Sequence, residues 1–182
     1  MEEKLKDKKD TYLKDLEERY KYYYEIERNK ELLGEVVDIF ASSCIEHFRH
    51  VLTKKIKIDQ YYTREYAVVR AEDSLIDKNE IEKFTNFLKS LINNLVFPST
   101  EVMSTTLSGI LITTVGFSEA AIDFGQRFKY SRSFWLGIKG WCDIRLILVD
   151  LREEKLYSNN KGKEVLIAYK IKPSQGGDIN IK

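Results

Sequence analysis

Residues 109–124 read GILITTVGFSEAAIDF, and the fold turns on how this stretch is read. Gly109 to Val115 is an almost unbroken run of aliphatic and β-branched residues. It is too short for an ordinary helix and suits a strand covered on both faces. The run passes without a linker into Gly116-Phe117-Ser118-Glu119. Ser118 is a good N-cap, because its hydroxyl can accept an N–H that the first turn leaves unbonded, and a helix is expected to follow to about Tyr130. A buried strand that feeds directly into a capped helix is the building unit of a layered α/β domain.

Downstream, Ile144 to Leu151 predicts a second nearly continuous apolar strand. Leu156-Tyr157 and Val165 to Ile171 flank Asn159-Asn160-Lys161-Gly162, a turn sequence that predicts a hairpin. Residues 173–182 are polar and read as a loose tail. Upstream, Ile81, Phe84, Leu88, Leu91 and Leu95 give the clearest helical period in the chain, over about 77–96, stopped by Pro98. Before it, Tyr66 to Val69 predicts a strand, and Ile56 and Ile58 alternate with lysine as strands do. Val37, Phe40, Cys44, Phe48 and Val51 fall at three- and four-residue steps and predict a helix over 35–52, begun after a break at Gly34. Residues 2–31 hold no proline or glycine. Asp10–Lys14 and Glu17–Lys21 place acid before base by four, and Leu13, Leu16, Tyr20 and Tyr23 form a narrow seam. The expectation is one long charged helix, an arm that pairs with a second copy or folds back on the body. The division expected is an arm over 1–33, an α/β domain over 34–172 and the tail.

Bulk properties limit the function classes. Hydrophobic residues make up 43% of the 182 and charged residues 32%, enough for a core and too apolar for a disordered chain. The net charge of +1 provides no global pull toward nucleic acid, so such binding needs a local patch. Cys44 and Cys142 form no CxxC pair, and no apolar run reaches bilayer length. The acidic-and-basic start MEEKLKDKKD is unlike a signal peptide. A cytoplasmic location is the expectation.

A local patch does exist. Residues 126–141 carry Arg127, Lys129, Arg132 and Lys139 among Phe128, Tyr130, Phe134, Trp135 and Trp141, with no acid before Trp141. Cations that hold phosphates beside rings that stack on bases suit single-stranded or distorted nucleic acid. The competing reading is that the rings are core and the cations only solvate the edge. Cys44, His47 and His50 are spaced for one face of a helix, but a metal needs further ligands, and packing is the better explanation. Asp143, Asp150, Glu153, Glu154 and Lys155 read as solvated loop and strand-end chemistry. The single Gly116 falls short of a dinucleotide fingerprint, so no nucleotide cofactor is expected.

Two passages, GILITTVGFSEAAIDF over 109–124 and YAVVRAEDSLIDKNEIEKF over 66–84, together with the element order, resemble the restriction-endonuclease-like (PD-(D/E)xK) superfamily, and within it the Mrr-like nucleases. The resemblance covers about residues 34–155. It implies a three-layer sheet flanked by helices, here behind the long charged N-terminal helix. Such nucleases place an aspartate on one strand and an acid-x-lysine on the next, so that two carboxylates hold Mg²⁺ and activate water. Asp59 stands where the first aspartate is expected. The acid-x-lysine falls on Val68-Val69-Arg70, where valine replaces the acid and arginine the lysine. Valine cannot ligate a hard cation and arginine cannot deprotonate water. Glu72 and Asp73, or Glu35 and Asp38 from the first core helix, are the substitute carboxylates. The expectation is a catalytically degenerate nuclease-like domain that binds DNA or a nucleic-acid-processing partner. It would need no cofactor (Mg²⁺ only if the site works) and would form a homodimer through the N-terminal helix. A protein-interaction scaffold built on the helical arm is the alternative, and an active Mg²⁺ nuclease the third option.

Overall fold

The 109–115 run lies at the centre of a seven-stranded sheet. The structure, a computed structural model, describes residues 2–49, 59–96, 101–135 and 140–172. In chain order the elements are α1 (Glu2–Tyr20), β1 (Glu25–Leu32), β2 (Glu35–Arg49), β3 (Asp59–Glu72), α2 (Lys78–Leu95), β4 (Val102–Thr113), α3 (Glu119–Arg127), β5 (Ser131–Ser133), β6 (Trp141–Asp150) and β7 (Lys155–Ser158). A 3₁₀-helix over Gly162–Tyr169 follows. The sheet order is β1-β2-β3-β4-β6-β5, with β7 also on β6. β1, β2 and β3 form an antiparallel meander, whereas β3, β4 and β6 run parallel. A parallel step needs a crossover, and α2 and α3 supply the two crossovers.

Both faces of the sheet are covered. On one face α2 and α3 pack Ile81, Phe84, Leu88, Leu91 and Ala121 over Phe40, Val68, Leu107, Leu111, Leu146 and Leu148. On the other face α1 and the 3₁₀-helix bring Tyr12, Leu16, Tyr20 and Tyr169 onto Ile39, Ala41, Val69, Ile110, Ile112, Ile147 and Val149. The central strands are therefore apolar at nearly every position, as β4 is from Leu107 to Thr113. The two helix starts are built alike. Asp77 accepts the Glu80 N–H and Ser118 accepts the Ala121 N–H, as the capping reading of Ser118 requires. The loops before them join in a parallel bridge between Ile76 and Phe117.

Three elements differ from expectation. The helix expected over 2–31 stops at Tyr20, and Glu25–Leu32 is an edge strand. Its many charges, which read as an exposed helix, are what a sheet edge carries to resist pairing with other chains. The helix expected over 35–52 is strand β2 for all its described length. Phe40 faces α2 and Ile39 and Ala41 face α1. An irregularity at Asp38, where the β1–β2 register skips Asn29 (φ 47°), turns Val37 to the α2 side as well, so Val37 and Phe40 imitate a helical stripe. Gly34 is thus no helix break. Leu33 (φ 52°) and Gly34 (φ 82°) are the two central residues of a tight hairpin joining Leu32 to Glu35. Positive φ at both positions is the mark of the turn whose twist matches a hairpin. The hairpin expected around 159–162 is also absent, since 162–169 is a 3₁₀-helix. The Asn159 side chain accepts the Leu146 and Gly162 N–H groups and donates to the Ile144 carbonyl, which turns the chain back across the sheet. The expected strand at 56–58, Pro98 and the tail lie outside the described residues.

α1 is a layer of the body. Its expected seam is only partly kept: Leu16 and Tyr20 are buried and Leu13 packs beside them, while Tyr23 is 77% exposed. Tyr12 replaces it, donating its hydroxyl to the Tyr169 carbonyl at 2.6 Å. Arg19 binds the Ala168 carbonyl and the Lys170 carbonyl, the latter at 2.7 Å.

Candidate functional site

The antiparallel register of β2 and β3 pairs Ile39 with Val69 and Phe40 with Val68. The paired register ends there, and Asp38 and Arg70 lie just beyond it, where β2 begins and β3 ends. The Asp38 carboxylate accepts the Ala71 N–H at 2.8 Å. Arg70 pairs with Glu35 at 2.5 Å, and its guanidinium sits 5.5 and 5.2 Å from the Phe84 and Phe87 ring centres on α2. Glu72 completes the group. Burial raises its carboxyl above the ordinary glutamate value; Arg70 opposes this, while Asp38, Glu80 and Asp73 add to it. Asp38, Arg70, Glu35 and Glu72 thus meet in one place, at the crossover into α2.

Asp59 does not join them. It is the first residue of β3, paired with Arg49, and Arg70 lies eleven residues further along the same strand. At about 3.3 Å per residue that is roughly 35 Å. Asp59 therefore stands far from Arg70, and the aspartate beside the end of β3 is Asp38. Val68 is fully buried against α2, so the position expected for the acid belongs to the core. Among the described residues no group of three or more metal-ligating side chains converges.

Glu72 gives a prediction with a definite sign. Its folded pKa lies above the unfolded one, so as pH rises through that interval the unfolded chain releases its proton first. Native stability falls accordingly. Glu72→Gln removes this penalty. Urea midpoints of the variant and the parent should lie closest below the ordinary glutamate range and separate in favour of the variant toward neutrality. A difference independent of pH contradicts the assignment.

The basic segment occupies the opposite edge of the sheet. Arg127 closes α3, with its side chain 80% exposed and an i,i+4 pair to Asp123. Lys129 and Arg132 are exposed in the passage into edge strand β5. Arg132 donates to the Asn93 side chain on α2 at 3.1 Å and lies 5.0 Å from the Phe134 ring centre. Lys89 reaches the Phe128 ring from α2 at 5.5 Å. The register pairs Arg132 with Cys142, which is core on the α2–α3 face, so Arg132 belongs to that face. Lys139 lies outside the described residues. The rings divide: Phe128 is buried and Tyr130 and Phe134 pack on the core, while Trp135 is 73% exposed. Lys89 was missed because it stands forty residues upstream of the patch it joins.

The other constellations resolve structurally. Cys44 and His47 are three apart on a strand and so face opposite ways; His47 stacks on Tyr61, and His50 is outside the described residues. Asp150 is buried, against the expectation of a solvated group, and ties the turn into β7 by accepting the Arg152 and Glu153 N–H groups at 2.9 Å. Cys142 is buried with its thiol pushed up to about 12, by burial first and then by Asp143. Cys44 is exposed. A thiol reagent should label Cys44 alone in the native protein and both cysteines in denaturant; two native equivalents contradict the burial of Cys142.

A family model described as Domain of unknown function (DUF8052) matches residues 8–171. The chain belongs to the DUF8052 family. The match includes the second half of α1 and the 3₁₀-helix, so the DUF8052 domain extends across both helical layers. No curated protein and no solved structure matches the chain. Among the described residues no helix is long and apolar enough to cross a membrane.

Proposed function

We propose that this DUF8052 chain is a nuclease-like domain without a working metal site that binds nucleic acid through its α3–β5 edge. The observation that carries the proposal is the exposed basic group of Arg127, Lys129 and Arg132, joined by Lys89, with Asp123 paired to Arg127. Such a group holds phosphates without sequence preference, and an exposed ring such as Trp135 offers a stacking face to an unpaired base.

The nuclease-like part rests on the arrangement at β2 and β3. Asp38 at the start of one strand is hydrogen-bonded to Ala71 on the next, one residue past the Val68-Val69-Arg70 where the resemblance expects acid-x-lysine. Asp38 is committed to the Ala71 N–H and Arg70 to Glu35 and two aromatic rings, which is the bonding of a structural remnant. Asp38, Glu35 and Glu72 do not converge as a ligand set among the described residues, and Asp38 and Glu35 are already bonded within the protein, which leaves Mg²⁺ too few free oxygens. The scaffold alternative has less support, because the apolar side of α1 is spent on its own sheet. Titration of the full chain with labelled single-stranded and duplex DNA at low salt tests the proposal. Saturable binding is expected, and no binding removes it.

A further inference from the structure

A cavity of about 550 Å³ opens at the other edge of the sheet, where the Lys21–Tyr24 turn carries the chain from α1 round to β1. This volume falls within the range of small-ligand sites, roughly 300–1,000 Å³. β1 begins opposite Ser42, so beyond Ser42 the outer edge of β2 has no strand partner among the described residues. Its floor is set by the β2–β3 register. Ser42 pairs with Tyr66 and Cys44 with Arg64, so these four share one face of the sheet. Arg64 is half-buried there and makes no ion pair among the described residues. Lys21 lies on the rim with Tyr22 and Tyr23, whose rings are 75% and 77% exposed, and Glu25 is the one acid in the lining.

Exposed tyrosines side by side are costly to leave in water, and a half-buried guanidinium without a carboxylate calls for an anion. The hydroxyl of Ser42, on the same face as Arg64, adds a donor. We infer that this cavity binds a small ligand joining an aromatic ring to a phosphate, of the nucleoside-phosphate class. Arg64 takes the phosphate, Tyr22 and Tyr23 hold the ring, and Lys21, paired with Glu18, stays on the rim. The cavity and the α3–β5 edge stand at opposite ends of the sheet order, so the inference does not depend on the nucleic-acid proposal.

The test uses the full chain with AMP, adenosine and ribose 5-phosphate as probes, followed by calorimetry and by amide shifts in NMR spectra. AMP should bind and move the amides of residues 21–25, 42–44 and 64–66. Adenosine and ribose 5-phosphate, each lacking half the contacts, should bind about tenfold more weakly or worse. Arg64→Gln should weaken AMP by about tenfold or more. Tyr23→Ala, at an exposed position that leaves the fold intact, should weaken AMP and adenosine but not ribose 5-phosphate. Absence of AMP binding, shifts elsewhere in the chain, or unchanged affinity in both variants overturns the inference.

Discussion

Deletion of residues 1–20 will abolish cooperative folding. The fragment loses Tyr12, Leu16 and Tyr20 and strips the α1 part of the cover from Ile39, Val69, Ile110, Ile112, Ile147 and Val149 in the middle of the sheet. Each buried side chain of this size contributes about 1.5–3 kcal/mol, so the lost layer is comparable to the whole stability of an ordinary domain. Calorimetry on the truncated chain should show no unfolding transition, and hydrophobic-dye binding should rise. Leu16→Ala, the milder form, removes a fully buried side chain and should cost about 2–5 kcal/mol. A well-folded fragment starting after Tyr20 would mean that α1 is an arm after all.

Charge reversal of Arg127, Lys129 and Arg132 together to glutamate should weaken nucleic-acid binding on the order of 100-fold and flatten its salt dependence. The effect should be nearly the same for different sequences, because phosphate contacts carry no base information. Stability should change little. The Arg127–Asp123 pair is a surface i,i+4 pair, and such pairs contribute at most a few tenths of a kcal/mol. Thermal unfolding of the triple variant checks that the binding loss does not come from unfolding. Equal affinity in parent and variant would move the interface away from this edge.

Legibility in the sequence followed how each element is covered. α2 exposes one side, so its apolar residues repeat at 3.6 and its extent is readable. α3 is announced by Ser118 and the buried strand before it. β2 is covered on both sides, and a run such as Val36-Val37-Asp38-Ile39-Phe40-Ala41 cannot be separated from a helix by period alone. Leu33-Gly34 was the signal available, a two-residue turn between two equal runs. That one misreading changed which aspartate is expected near Arg70: with β2 taken as a helix, Asp59 preceded Val68-Val69-Arg70, and Asp38 entered only as a helical substitute. The 3₁₀-helix was unreadable for a different reason. Asn159 sets it by hydrogen bonds to Leu146 and Ile144, residues more than a dozen positions away. In the basic segment the sequence showed the cations, but which rings would be buried depended on packing against α2.

Affinity of the full chain for labelled single-stranded and duplex DNA, followed across a salt series with and without Mg²⁺, tests the central claim most directly. The account predicts binding at low salt that weakens with a slope of about −3 in log K against log salt on duplex, from three to four phosphate contacts. It also predicts no strand cleavage when Mg²⁺ is present. Cleavage, or no binding at any salt concentration, would contradict it.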